Sequence, residues 1–152
     1  QVGALKAFLD ELDMPLNHIK PHGSLYVMAS KDEEMCRAIA DAVTPFNVSI
    51  FGMANTAHEK IYKEEKKLDF VAEFYADLDY DKNGTLVIAK GKQSMYDSKL
   101  AVKRALRAVS EKKVKTTSGT DIDVGCDTIC VHSDTPNAVE IITKLKVALS
   151  KK

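Results

Sequence analysis

The sequence lacks an excess of either charge, because Lys and Arg together count 22 and Asp and Glu together also count 22. Proteins that bind nucleic acid or an anionic membrane usually carry a clustered basic excess, so this balance argues against both kinds of partner. The chain also lacks an apolar run long enough to span a bilayer, and it shows no secretory leader. It opens without Met, which favours a trimmed chain or one part of a longer gene product.

Cysteine is scarce, and the three residues Cys36, Cys126 and Cys130 form an odd number at unremarkable spacings. A zinc site would need a fourth ligand and the usual pairing of ligands, which are missing. We therefore expect reduced thiols in a cytoplasmic protein. Cys130 and His132 would face the same side of an extended strand, so a thiol nucleophile is conceivable, but the apolar run around Cys130 favours packing.

The remaining composition is that of a soluble globular protein, with 152 residues, 45% hydrophobic and 29% charged. No internal repeat or low-complexity linker interrupts the chain, which predicts a single domain over residues 1–152. Helical and strand patterns alternate, and this order is typical of α/β proteins with a mainly parallel sheet, either open or curled into a barrel. The pattern predicts helices over 2–12, from the capping box at 30–33 to Pro45, from 56 to about 67, over 97–109 and over 136–149, with strands over 16–19, 48–51, 70–74 and 128–131.

The stretch that best combines structure with chemistry is the predicted strand Thr128–Val131 and the loop that follows it. Thr135 is the expected N-cap of the last helix, and Pro136 suits its first position. His132 and Asp134 then lie on the loop at the carboxyl end of the strand, where parallel α/β folds bind ligands. The alternative is that Asp134 and Thr135 merely cap the helix. Capping accounts for one of these two residues, but it hardly accounts for both of them together with His132.

Two other strand ends carry similar groups. Lys20 and His22 follow the first predicted strand, although a loop histidine that caps a nearby helix explains His22 equally well. Glu73 and Asp77 lie around the end of the third strand, where they could act as general base and orienting partner or simply form a solvated strand end. Because parallel strands bring their carboxyl ends to one face, we expect one mouth formed by Lys20, His22, Glu73, Asp77, His132 and Asp134.

The segment Asp79–Leu86 matches the first eight positions of a calcium-binding loop in its Asp, Asn and Gly spacing. Its twelfth position is Lys90, where calcium needs a bidentate Glu. We therefore predict an Asx-rich hairpin turn at Lys82-Asn83-Gly84 and no calcium binding at physiological concentrations. A second hairpin is predicted at Ser118-Gly119.

At these motifs the sequence resembles the LamB/YcsF family. The similar segments are Gln1–Leu5, His18–Tyr26, Glu73–Asp77 with Tyr80 and Gly84–Val87, and Asp127–Pro136. The resemblance implies an α/β barrel of the glycoside hydrolase/deacetylase type. It also implies ATP-dependent opening of 5-oxoproline to glutamate together with two partner subunits. Carried over by motif, the site positions are Lys20, His22, Glu73, Asp77, His132 and Asp134.

The chain departs from the family pattern at several positions. Val27 stands where an Asn is usual, Leu78 where an Arg is common, and Ser133 and Asn137 replace frequent glycines. The family's opening portion, with its Asn-Cys-Asp-Leu-Gly-Glu and His-Ala-Gly-Asp motifs, is absent. We therefore expect an incomplete barrel with part of the site. Such a chain should either pair with another chain along its sheet edges, as in a homo-oligomer, or rearrange into an open sheet. It should also be inactive alone.

The chemistry of lactam opening suggests roles for these residues. No phosphate-loop motif occurs, so ATP would be handled by the partner subunits. Lys20 would pair with the substrate carboxylate or the developing oxyanion, and His132, oriented by Asp134, would move the proton. The residues alone leave open whether His22 or His132 is the base and whether a metal is bound. They also leave open a metal-dependent, deacetylase-like hydrolase of a small amide and a non-catalytic binding subunit.

Overall fold

The structure is a computed structural model that describes residues 1–88 and 95–150. The helices are α1 (Val2–Glu11), α2 (Gly23–Ala29), α3 (Glu33–Val43), α4 (Ser98–Glu111) and α5 (Ala138–Leu149), with a 3-10 turn at Thr44–Phe46 and a π-helix at Glu59–Glu65. The strands are β1 (His18–Ile19), β2 (Ser49–Gly52), β3 (Phe70–Tyr75), β4 (Asp79–Tyr80), β5 (Leu86–Val87), β6 (Lys113–Lys115), β7 (Asp121–Asp123) and β8 (Thr128–Cys130). Within the described residues, no helix has the length and apolar character needed to cross a membrane.

The chain forms two compact units. The first comprises Gln1–Gly52 and Thr56–Val71, and the second comprises the described residues of Met53–Asn55 and Ala72–Lys152. Strand β3 begins in the first unit and continues in the second. The single domain predicted over residues 1–152 stays a prediction.

In the first unit, β1 and β2 pair in parallel, with Ile19 opposite Ile50. Both side chains are buried, because helix α3 and the π-helix supply the apolar partners of this strand pair. The buried residues of this core are Ile19, Ala29, Cys36, Ala40, Val43, Ile50, Ile61 and Tyr62.

The start of α3 differs from the predicted capping box. Asp32 is the N-cap, and its carboxylate accepts the N–H of Met35 at 3.0 Å. The Ser30 hydroxyl instead donates to the carbonyl of Val27 at 2.8 Å. An aspartate two positions further on thus caps the first turn, where its negative charge also suits the helix dipole.

In the second unit, β3 and β8 pair in parallel, with Glu73 opposite Thr128 and Tyr75 opposite Cys130. Two antiparallel hairpins, β4–β5 and β6–β7, confirm the turns predicted at Lys82-Asn83-Gly84 and at Ser118-Gly119. Helices α4 and α5 pack on each other in the same unit.

The first hairpin contains the calcium-like segment. The Asp81 carboxylate accepts the backbone N–H of Asn83 at 2.8 Å and that of Thr85 at 2.9 Å, which is the expected Asx-type turn. One oxygen, Oδ1, accepts both hydrogen bonds, so the turn itself uses this carboxylate. Lys90, the twelfth position, lies outside the described residues. The lack of calcium binding stays a prediction.

The start of α5 also differs from the prediction. The helix begins at Ala138 with Asn137 as its N-cap residue, so Thr135 and Pro136 lie in the turn before it. The predicted N-cap lies two residues too early, and the Thr135 hydroxyl donates to the carboxylate of Asp77 at 2.7 Å. This bond ties the turn that contains Thr135 to the segment after β3, and the helix begins only after that turn.

The chain packs closely around Gly125, just before β8, and a substitution at this residue tests that packing. A Cβ atom at this position would lie 2.5 Å from the Cβ of Ala72 and 2.6 Å from that of Ala54, and neither methyl group can rotate away. We expect Gly125→Ala to lower the free energy of unfolding by about 1–3 kcal/mol in urea denaturation. Gly3→Ala is the matched control, because Gly3 lies in α1 with open space around it. The control should be neutral or stabilising by up to about 1 kcal/mol, and equal losses in both variants would contradict the packing argument.

Candidate active site

The shared face of β3 and β8 carries a group of polar side chains. Successive side chains of a strand point to opposite faces, so every second residue of β3 lies on this face, and the parallel register aligns the same face of β8. The residues on this face are Glu73, Tyr75 and Asp77 from β3 and its end, and Thr128, Cys130 and His132 from β8 and its end. One small area thus combines two carboxylates, a phenol, a hydroxyl, a thiol and an imidazole.

Asp77 and His132 form the best-defined pair on this face. The Nδ1 atom of His132 lies 3.0 Å from Oδ1 of Asp77, and the backbone N–H of His132 donates to Oδ2 at 2.8 Å. The Asp77 side chain is fully buried, whereas that of His132 keeps 32% of its surface exposed. The buried carboxylate therefore orients an imidazole that remains accessible from solution.

This contact determines which nitrogen of His132 is basic. The carboxylate of Asp77 can only accept, so Nδ1 carries the proton in the neutral ring and Nε2 is the basic nitrogen. The same carboxylate stabilises the imidazolium when Nε2 takes up a proton. A histidine held in this way has the geometry of a general base oriented by a carboxylate.

Asp77 is held in its charged form by its surroundings. Burial works to raise its pKa, but hydrogen bonds from the His132 ring, the Thr135 hydroxyl and the His132 backbone together lower the pKa below its usual range. Thr135, buried beside the pair, therefore acts as a third donor to the carboxylate. At neutral pH the orienting group is an ionised aspartate.

The lowered pKa of Asp77 predicts a pH dependence of stability. Folding lowers this pKa below the ordinary 3.8, so the carboxylate stabilises the fold at pH values above 3.8, and the contribution is lost as the pH falls through the folded value. We expect wild type to lose more free energy of unfolding than Asp77→Asn over that acid range, as measured by urea denaturation. The difference between the two curves isolates Asp77 from the other carboxylates. Parallel curves would contradict the prediction.

Glu73 and Tyr75 form a second contact on the same face. The Tyr75 hydroxyl donates to Oε2 of Glu73 at 2.9 Å, and both residues are buried. The Tyr75 ring also stacks on the ring of His132, with centroids 5.4 Å apart and planes 20° from parallel. Tyr75 thus touches both Glu73 and His132, although it was not among the residues expected in the site. Tyr75 lies two residues after Glu73 and two before Asp77, and alternate residues of a strand share one face. This spacing was the signal that could have identified Tyr75 from the sequence.

Asp134 was expected to orient His132, and this expectation was wrong. Asp134 is exposed in the turn before α5, and the carboxylate bound to the His132 ring is that of Asp77. The parallel register of β3 and β8 explains the difference, because it brings the end of β3 beside the end of β8. The proposed site role of Asp134 stays a prediction.

Lys20 and His22 belong to the first unit. The Nζ atom of Lys20 lies 5.6 Å from the centroid of the Tyr26 ring, a cation–π contact that holds the ammonium at the end of β1. His22 is exposed and is the N-cap residue of α2, without a side-chain cap hydrogen bond. The single mouth that would join them to Glu73, Asp77 and His132 stays a prediction.

The second unit also contains a cavity of about 280 Å³ beside Glu73. Its wall includes Asn55, Tyr80 and Lys82, so it offers amide, phenol and ammonium groups next to the polar face.

Among residues 1–88 and 95–150, no three His, Cys, Asp or Glu side chains lie close enough together to hold a metal ion.

Comparison with known proteins identifies the relatives of the chain. The model of the LamB/YcsF family matches residues 1–152. The chain is 39% identical to a 5-oxoprolinase subunit from Campylobacter jejuni subsp. doylei, over 99% of this chain and 60% of that protein. It is 40% identical to a 5-oxoprolinase subunit from Thermococcus onnurineus, over 98% of this chain and 59% of that protein. The chain therefore spans about three fifths of the length of these curated relatives.

A solved structure gives the same result at the level of the fold. The lactam utilization protein from Thermus thermophilus superposes with a TM-score of 0.85 and 36% identity, over 99% of this chain and 61% of that chain. This match confirms the predicted α/β, mainly parallel, barrel-like fold class. The family model covers the whole chain, and the chain therefore belongs to the LamB/YcsF family.

Proposed function

We propose that this chain is a component of an ATP-dependent 5-oxoprolinase, which opens the lactam 5-oxoproline to glutamate together with two partner subunits. The observation that supports this proposal most directly is the Asp77–His132 pair, an accessible imidazole oriented by a buried carboxylate. Several relatives are named as a subunit of 5-oxoprolinase, which supplies the substrate class and the expectation of further subunits.

The reaction adds one water molecule across the C–N bond of the lactam. The water oxygen joins the carbonyl carbon, and the ring nitrogen leaves as an amine after it gains a proton. A five-membered lactam is a stabilised amide, so its carbonyl needs activation, for which phosphorylation of the carbonyl oxygen by ATP is one route. ADP leaves in that step, and after ring opening a second water molecule releases the phosphoryl group from the new carboxyl as inorganic phosphate. The sequence contains no phosphate-loop motif, so we assign the handling of ATP to the partner subunits.

In this scheme His132 moves the proton. Nε2 takes a proton from the attacking water and returns it to the leaving nitrogen, while Asp77 stabilises the intermediate imidazolium. Lys20 pairs with the carboxylate of 5-oxoproline or with the oxyanion that forms on the carbonyl carbon. This assignment makes His132 rather than His22 the base, because a buried carboxylate lies at Nδ1 of His132 and orients its ring.

The proposal is tested by reconstitution. Purified chain is mixed with the two partner subunits, 5-oxoproline and ATP, and glutamate release is measured. We expect glutamate only when the chain, the partners and ATP are all present. Equal release in the absence of the chain would refute a catalytic role for it. Release that needs an added transition metal instead of ATP would favour the metal-dependent hydrolase.

A further inference from the structure

We propose that Tyr75 is a positioning residue of this site, which sets the ring plane of His132 and the orientation of the Glu73 carboxylate. The proposal rests on the proposed function for its kinetic consequence, but its structural part can be tested without substrate. Tyr75 makes both a ring contact to His132 and a hydrogen bond to Glu73. It therefore joins two groups that lie on different strands of the same face.

The ring of Tyr75 limits the rotation of His132. Asp77 fixes Nδ1 of the imidazole at one point, which still allows the ring to swing about that contact. The Tyr75 ring lies against the face of the imidazole, with planes 20° from parallel, so the swing is blocked on that side. A hydrogen bond and a stacked face together determine the direction in which Nε2 points.

The hydroxyl of Tyr75 fixes Glu73 on the same face. Its O–H donates to Oε2 of Glu73 at 2.9 Å, and a hydrogen bond to a carboxylate is stronger than one between neutral groups. A phenylalanine at this position would stack on His132 in the same way but could not hold the carboxylate. The two functions of the side chain can therefore be separated by substitution.

Tyr75 is itself held rigidly, as a positioning residue must be. It is 3% exposed, and its backbone N–H donates to the hydroxyl oxygen of Tyr80 at 2.9 Å. Tyr80 in turn stacks on Phe74, with ring centroids 5.6 Å apart. The hydrogen bond anchors the backbone of Tyr75, and burial confines its ring, so Tyr75 transmits a defined geometry to its neighbours.

The structural part is tested by nuclear magnetic resonance of the isotope-labelled chain without substrate. In wild type we expect cross-peaks between the ring protons of Tyr75 and His132. Tyr75→Phe should leave the His132 ring resonances in place and shift the side-chain carboxyl resonance of Glu73, whereas Tyr75→Leu should shift both. Tyr62→Phe is the matched control, because it removes a buried phenol from the first unit and should shift neither.

The kinetic part is tested in the reconstituted enzyme. We expect Tyr75→Leu to lower kcat about tenfold with KM unchanged, because the stacked ring that sets the direction of Nε2 of His132 is lost. Absence of the ring cross-peaks in wild type, or an unshifted Glu73 resonance in Tyr75→Phe, would overturn the proposal. Unchanged kcat in Tyr75→Leu would overturn its kinetic part. If the wild-type enzyme opens no lactam, the proposed function fails, while the resonances still decide the role of Tyr75.

Discussion

Replacing His132 by glutamine should lower kcat for ATP-dependent opening of 5-oxoproline about 10²–10⁴-fold, because proton transfer by a positioned side chain contributes a factor of this size. Glutamine keeps a polar group of similar reach but cannot take up a proton at neutral pH. The measurement is glutamate release by the reconstituted enzyme at saturating 5-oxoproline and ATP. Since 32% of the His132 side chain is exposed, the substitution should leave the fold intact.

Ser133→Ala is the matched control for this experiment. Ser133 is the next residue in the same turn, it is exposed, and its side chain has no role in the scheme proposed for the site. We expect its kcat to stay within about twofold of wild type, as for a surface substitution away from the chemistry. If His132→Gln retained full activity, His132 would not be the base, and His22 would become the candidate to test.

Replacing Asp77 by asparagine should lower kcat on the order of 10³-fold, because the amide can stabilise the wrong tautomer of His132 and cannot stabilise the imidazolium. The same change removes a buried carboxylate that accepts hydrogen bonds from the His132 backbone, the His132 ring and Thr135. We therefore also expect the free energy of unfolding to fall by about 1–3 kcal/mol. Urea denaturation and the glutamate assay measure the two effects on the same samples.

Asp134→Asn tests which carboxylate orients His132. The structure assigns this role to Asp77, whereas adjacency in the sequence suggested Asp134. Asp134 is two residues from His132 but exposed, so this substitution should cost far less activity than Asp77→Asn. A larger loss in Asp134→Asn than in Asp77→Asn would show that the contact between Asp77 and His132 does not orient the base. Equal losses would place both carboxylates in the site.

The sequence alone determined the elements whose signals are local. Helix α1 follows from apolar residues at helical spacing, and the structure begins it at Val2 and ends it at Glu11, close to the predicted 2–12. The hairpins at Lys82-Asn83-Gly84 and Ser118-Gly119 follow from residues that accept the backbone angles of tight turns, and Gly84 and Gly119 have φ values of 76° and 84°. His132 at the end of β8 is also readable from the chain, because the strand and its loop are contiguous.

Which side chains come together in the site depends on the tertiary structure. Asp77 and His132 lie 55 residues apart in the sequence, and the parallel register of β3 and β8 places them side by side. The same pairing brings the Thr135 hydroxyl to the carboxylate of Asp77, and α5 begins two residues later than predicted, at Ala138. Capping and turn signals depend on neighbours in the chain, whereas the choice of a hydrogen-bond partner depends on which strands pair and in which register. The sequence therefore identified the histidine, and the fold selected its carboxylate.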